Sequence, residues 1–232
     1  MKNFPIDFSK IVLGEYISPT RLLGVFEEPF DARKTAEAVT TYERSEYFKI
    51  PVDTILDYWK LTAPYGNIIH SEIQDYLTDE KECRFKEELE KYGINYNNSY
   101  SEIEIKSLHK KMKGFVDIIT IQEENDKKKY IVHDIKTYKK IDGEKIIGAS
   151  MQILLYCLIL NDSLGPNEYA VPGKIIHISN NSKPDNLDYE KWDNKNPVFY
   201  DFDKRAIAKL KDLLDRFDKI EDKTMHYKKE KI

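Results

Sequence analysis

Two acids and an amine, Asp117, Asp134 and Lys136, pose the chemical question in this chain. Asp134 and Lys136 sit two apart in Tyr130-Ile-Val-His-Asp-Ile-Lys136, a strand-like run, so both side chains point to one face and Ile135 turns to the other. Asp117 lies in a second such run, Phe115–Ile121, and reaches the same edge if the two runs pair as a hairpin. Two carboxylates converging on one point bind a hard divalent cation such as Mg²⁺ through oxygen. An ammonium beside them can orient or help deprotonate a water, or stabilise charge growing on a phosphate. Metal-assisted phosphodiester hydrolysis needs these parts together. Singly, each has a blander role: Asp117 as a strand-end acceptor, Asp134 with Lys136 as an exposed pair contributing little.

Other residues extend the set. His70 lies on a helical stretch between Ile69 and Ile73, as an extra ligand or as a satisfied core histidine. Gln152 and Tyr156 are four apart and share a helix face, where they hold the lysine, a water or a phosphate, or serve as surface amide and core ring. Glu102 and Glu104 alternate on a strand and share a face. Either can join the acidic cluster, and solvent-facing alternation explains them equally well. Arg21 and Arg33 are candidates to grip phosphates, and Trp59 or Tyr65 to stack a base, with packing or solvation the simpler account of each. His109, His133 and His177 lack metal spacing and read as structural.

The elements that carry these residues follow from hydrophobic period. Ser18 before Pro19 opens a short helix over Ile17–Gly24, and Pro29 interrupts. Val52, Ile55, Leu56 and Trp59 predict one helix; Ile69, Ile73, Tyr76 and Leu77 predict a second, opening near Tyr65 or Gly66, with Gly93 as a later terminator. Strands follow around Ile103–Ile105, Phe115–Ile121 and Tyr130–Lys136, the last two joined by a solvated loop, Glu123–Lys129. A helix over Ala149–Leu160, strands at Lys174–Ser179 and Val198–Phe202, and a helix from Asp203 to Phe217 with Ile207, Leu210, Leu213 and Leu214 inward complete the order. The fold class expected is α/β: helix, three-strand meander, helix, strand. Residues 1–63 would form an N-terminal helical cap, 64–202 the core, and 203–232 a C-terminal helix with a basic tail, all in one domain.

Composition sets outer bounds. The chain has 232 residues and 41% hydrophobic residues, enough for a real core. The net charge of −4 does not announce a nucleic-acid binder, but it averages over basic runs at residues 106–113 and 127–129 and over lysines 136, 139, 140 and 145. Two cysteines, Cys83 and Cys157, support neither a disulfide framework nor a four-thiolate zinc or iron–sulfur site. No run of about 18 apolar residues predicts a membrane span. The default is a cytoplasmic or other reducing compartment.

In register, these motifs resemble the PD-(D/E)XK nucleases, and within them the RecB-like exonuclease branch. Gly66-Asn-Ile-Ile-His70, Gly114-Phe-Val-Asp117, Asp134-Ile-Lys136-Thr137 and Gln152-Ile-Leu-Leu-Tyr156 follow its order of helix histidine, GxxD strand, DxK strand and QxxxY helix. Ser18-Pro-Thr-Arg-Leu-Leu and Pro29-Phe-Asp31 also look like short exonucleases of phages and mitochondrial genome maintenance. The resemblance implies a restriction-endonuclease-like core. It implies metal bound by His70, Asp117, Asp134 and the carbonyl of Ile135, with Lys136 as catalytic lysine and Gln152 and Tyr156 in support. It implies Mg²⁺, with Mn²⁺ able to substitute, and no iron–sulfur cluster. Gln74 stands where family helices often carry Glu. The expected activity is DNA cleavage from single-stranded or frayed ends, alongside a helicase, recombinase or single-strand-binding protein. The rivals are a cap-snatching RNA endonuclease and a catalytically idle nucleic-acid-binding subunit.

Overall fold

The apolar runs between residues 99 and 136 build a meander, and the rest of the chain covers its two faces. The computed structural model describes residues 4–8, 16–25, 30–179, 182, 188, 192 and 195–219. Among them the order is α1 (Pro19–Leu23), α2 (Ala32–Thr41), α3 (Val52–Asp79), α4 (Lys86–Lys91), β1 (Ser99–Ser107), β2 (Met112–Glu124), β3 (Lys127–Lys136), α5 (Gly143–Asn161), β4 (Glu168–His177), β5 (Val198–Asp201) and α6 (Arg205–Asp218). The sheet order is β1-β2-β3-β4-β5. β1, β2 and β3 pair antiparallel, β4 lies parallel to β3, and β5 returns antiparallel. Parallel pairing of consecutive strands requires a crossover, which α5 supplies. The chain is an α/β protein with a mixed sheet, as the order of periods predicts.

Residues an odd number of positions apart on β3 and on β4 separate the two cores. Val132 and Ile175 join a cluster with α1, α5 and α6; Ile135 and Ile176 join a cluster with α3 and α4. Neighbours on a strand point to opposite faces, so the clusters lie on opposite sides of the sheet. α5 is apolar and long enough to cross a bilayer by composition alone. Here it is a core helix, with Ile153, Leu155, Ile159 and Leu160 at 0% exposure.

Several sequence expectations change. The two helices expected on either side of Pro64 are one helix, α3, which runs through the proline. Pro64 removes one hydrogen bond, at a cost of about 3 kcal/mol in a helix interior. The burial of Ile55, Tyr58, Tyr65, Ile69 and Ile73 on one continuous face outweighs that local preference. A boundary at residues 63 and 64 therefore falls inside an element and divides nothing. Gly93, with φ 75, follows the short unexpected α4, whereas α3 ends at left-handed Glu80.

The solvated loop is also shorter than expected. β2 continues to Glu124 and β3 starts at Lys127, leaving Asn125 and Asp126 at φ 49 and 60 as a two-residue hairpin turn. α5 starts at Gly143, where the Asp142 carboxylate accepts from the Lys145 N–H at 2.9 Å, and β4 begins at Glu168 rather than Lys174. On α6, Ile207 is exposed and Ala206 takes the inward position with Leu210, Leu213 and Phe217. This helix packs into the main core. Pro29 and the tail beyond residue 219 lie outside the described residues.

Replacing Pro64 with Ala restores the missing donor on an exposed turn of α3. Stability should rise by about 1–3 kcal/mol, read as a shift in the urea midpoint. A loss of stability instead would mean that the packing of α3 depends on the proline.

Candidate metal centre

The site forms where the sheet loses its regular pleat. On β2, Val116 faces the α5 core, Ile118 faces the α3 core, and Ile119 faces the α5 core again. Two-residue alternation therefore breaks at Asp117. The β1–β2 ladder pairs Ser101 with Ile118 and Ile103 with Val116, leaving Glu102 opposite Asp117 at the break. Glu102 takes φ 51, in the left-handed region that side chains other than Gly, Asn and Asp enter at a cost. The β2–β3 ladder, in turn, runs from the hairpin turn only as far as Ile118 and His133. Past that pair the Asp117 Oδ2 accepts the Ile135 N–H at 2.7 Å, a side chain standing in for a strand partner.

Three elements converge on this fork. The Asp134 carboxylate holds the Lys136 ammonium, with Nζ 2.9 Å from Oδ1 and 2.8 Å from Oδ2. Lys136 Nζ also donates to Gln152 Oε1 at 3.2 Å, and Gln152 Nε2 donates to the Tyr156 hydroxyl at 2.9 Å. From α3, His70 Nδ1 lies 3.4 Å from Glu102 Oε1 and 3.8 Å from Asp117 Oδ1. His70, Glu102 and Asp117 each present one ligand atom, all within 4.8 Å of one another. A cleft of about 900 Å³ opens over them, lined also by Gly66, Gln74 and Thr137.

Two glycines allow this approach. A Cβ on Gly66 would come within 2.9 Å of Thr137 Oγ1, so α3 lies against the end of β3 there, and His70 follows one turn later on the same face. A Cβ on Gly114 would meet Tyr156 Cε1 at 2.8 Å and Pro19 Cδ at 3.1 Å, so bare backbone lets α5 and α1 close onto β2.

Burial gives the cluster its electrostatics. Desolvation, together with the charge of Asp134, lifts the Asp117 carboxyl from 3.8 to about 7, against the pull of His70 and Lys136. Asp134 is fully buried and also raised by desolvation, with Lys136 opposing. For His70, desolvation opposes protonation, but the Glu102 hydrogen bond and the neighbouring carboxylates outweigh it and raise the pKa. Lys136 likewise overcomes its desolvation through Asp134 and Asp117, and stays an ammonium. Three carboxylates face one ammonium and one imidazole, a surplus of negative charge that suits a hard divalent cation.

Each sequence candidate now has a place. Asp134, Lys136, Gln152 and Tyr156 form one contact network, Asp117 joins it through the backbone N–H of Ile135, and His70 faces Asp117 from α3. Asp134 stands apart from the three-ligand group, its carboxylate engaged by Lys136. Ile135 enters through its N–H.

Glu102 and Glu104 do not act as a pair sharing a face. Glu102 joins the ligand group, while Glu104 binds Lys113 and Lys106 at 2.5 and 2.9 Å. Strict alternation could not separate them, because the left-handed residue that resets the pleat is Glu102 itself. Arg33 pairs with exposed Asp53, and Tyr65 is buried against Trp192. Trp59 packs on Tyr47, and Arg21 lies on α1. His133 plugs the β-bulge of the β3–β4 pair, its Nδ1 accepting from the Lys174 N–H at 3.0 Å, and burial lowers its pKa to about 3. The His177 ring contacts the Tyr138 carbonyl, and His109 is exposed. The 127–129 lysine run sits at the hairpin tip, eight residues from Asp126 back to the fork's Ile118, about 25 Å at strand rise.

Neither a protein-family model nor a curated protein matches this chain. Among solved structures it is similar to one described as "Crystal structure of SSO0001", at 18% identity and a TM-score of 0.35, over 90% of this chain and 79% of that one. A likeness at that level decides nothing about the site.

Two outcomes follow. Glu102→Gln should weaken Mg²⁺ or Mn²⁺ binding by about tenfold or more, measured by calorimetry; unchanged affinity would remove Glu102 from the ligand set. The second concerns pH. Asp117 has a folded pKa above its unfolded value, so the metal-free folded protein binds the extra proton between about 4 and 7. Stability from this group is full at the acid end of that window and lost as pH rises through it. In EDTA, Asp117→Asn should flatten the fall in Tm across that range, and a variant curve parallel to the wild type would contradict the assignment.

Proposed function

We propose that this chain is a Mg²⁺-dependent DNA nuclease of the PD-(D/E)XK superfamily, in the RecB-like branch without an iron–sulfur cluster, acting as an exonuclease on single-stranded or frayed ends. One observation carries the proposal. An unbroken set of contacts links Asp117, through Ile135, to the Asp134–Lys136–Gln152–Tyr156 network, beside a His70–Glu102–Asp117 ligand group at an open cleft. The helix, three-strand meander, crossover helix and parallel strand support a restriction-endonuclease-like core. The preference for DNA over RNA comes from the motif resemblance, as does the choice of exonuclease.

The donor set fits Mg²⁺, with Mn²⁺ able to replace it: carboxylate oxygens and one imidazole, at a partly open position. His70, Glu102 and Asp117 would hold the ion, with Asp134 and the Ile135 carbonyl as further donors on the strength of the resemblance. When bound, the cation supplies Lewis acidity to a phosphate oxygen and lowers the pKa of water.

The chain's own groups do the rest. Lys136, held protonated by Asp134 and Asp117, sets a fixed positive charge where a phosphorane-like transition state gains negative charge. Gln152 orients that ammonium and is itself fixed by Tyr156, whose hydroxyl stays protonated because burial raises its pKa. Asp117 splits its work, with Oδ2 on the Ile135 N–H and Oδ1 toward His70, so backbone and ligand group stay in register. Both thiols, Cys83 and Cys157, are buried and unpaired, in keeping with a reducing compartment. A helicase, recombinase or single-strand-binding protein is the kind of partner a DNA-end nuclease would use.

The test is hydrolysis of end-labelled single-stranded, duplex and circular DNA, and of RNA, with Mg²⁺ or EDTA. Linear single strands should be degraded in Mg²⁺ and spared in EDTA. Lys136→Ala and Asp134→Ala should each cut activity by about 10³-fold or more while the unfolding curve shows a folded protein. Cleavage of circles would make it an endonuclease, equal loss of RNA would undo the DNA preference, and no metal-dependent cleavage of any substrate would end the nuclease proposal.

A further inference from the structure

Phe115 stands on β2 two residues before Asp117, and it is 51% exposed between buried Gly114 and Val116. A single exposed aromatic means little by itself. Its position gives this one meaning. Phe115 lines the 900 Å³ cleft over the metal centre and also a second cavity of about 300 Å³, walled by Tyr16, Pro19, Lys113 and Tyr156. The ring is therefore the ridge between two cavities. The ridge and the Asp117 position lie about 7 Å apart along the strand, the reach of roughly one nucleotide. The Lys113 ammonium lies 5.7 Å from the Phe115 ring centre and 5.7 Å from that of Tyr16. Lys113 and Lys106 share the single carboxylate of Glu104, two cations to one anion beside the apolar ring. A flat apolar ring with a cation over one face, standing between two cavities, suits a single strand: a base stacks on the free face and a phosphate meets the cation.

We propose that Phe115 is the stacking platform for a nucleobase next to the scissile phosphate, with Lys113 near the adjoining phosphate, so that it positions a single strand over the metal centre. This inference rests on the nuclease reading and adds the substrate contact that reading lacks. A base on Phe115 places its own phosphate toward Asp117 on one side, and the smaller cavity receives the neighbouring base on the other. Duplex DNA, whose bases are already stacked and paired, cannot use the platform without fraying.

The test uses the full chain carrying Lys136→Ala, which suppresses cleavage, and a fluorescein-labelled single-stranded oligonucleotide in Mg²⁺. A second set of the same oligonucleotide carries one abasic position, moved along the strand in turn. Adding Phe115→Ala should weaken binding about 5- to 150-fold, and Phe115→Trp should preserve it. At one position the abasic site should weaken the Lys136→Ala protein by a similar factor, and should cost nothing further once Phe115→Ala is present. That non-additivity separates a stacked base from a general disturbance of β2. Undiminished affinity in Phe115→Ala, or losses that multiply at every abasic position, would overturn the inference while leaving the nuclease reading intact. If the Lys136→Ala protein binds no oligonucleotide at all, the platform falls, and cleavage by the unaltered chain decides the nuclease reading.

Discussion

Carboxylates set side by side, one buried and one half-buried, repel one another and lose hydration, and everything around Asp117 and Asp134 answers to that constraint. Neither acid is left alone. Asp134 faces an ammonium held by its own strand; Asp117 takes a backbone N–H on one oxygen and faces an imidazole with the other. Even so the cluster keeps more negative than positive groups, and desolvation, helped by the charge of Asp134, lifts the carboxyl of Asp117 to about 7. A stable domain gains nothing from such an arrangement, because apolar residues of similar volume would pack there at lower cost. Its persistence in the middle of a sheet is what makes it a candidate for chemistry.

The fold accommodates the cluster by giving up regularity at one point. A continuous ladder across β1, β2 and β3 would use every backbone group and turn alternate side chains strictly up and down. Here β2 parts from β3 beyond Ile118, and the pleat resets at Asp117 and Glu102. The fork creates space that α3 enters from one face and α5 from the other. Gly66 and Gly114 are the contact points where a side chain would hold those helices away. The cores on the two faces then fix the helices: Ile69 and Ile73 anchor the turn that carries His70, and Ile153 and Leu155 anchor the turn that carries Gln152. Positioning is thus a by-product of ordinary hydrophobic packing, which sets the polar groups relative to one another.

Charge is arranged locally, not globally. The net value of −4 blends an acidic centre with basic groups that differ in use. Lys113 lines the smaller cavity beside Phe115 and shares Glu104 with Lys106, whereas the 127–129 run decorates the β2–β3 hairpin tip. A nearby cation can act on a phosphate at the site; a distant one, beyond a Debye length in physiological salt, is largely screened.

The sequence by itself determined the α/β class, the meander, and the facing of Asp134 and Lys136, because two-residue alternation along a strand and four-residue spacing along a helix are local properties of the chain. The same rule placed Gln152 and Tyr156 together. Tertiary structure decided what local rules leave open. Pro64 suggests a helix end, but burial of one long face carries α3 through it. Glu102 and Glu104 look equivalent, and only pairing against β2, with a left-handed backbone at Glu102, sends one to the ligand group and the other to lysines. Ile207 and Ala206 compete for the inward face of α6, and the core cluster selects the alanine. In each case the deciding energy is contact with residues far away in sequence, which a local pattern cannot register.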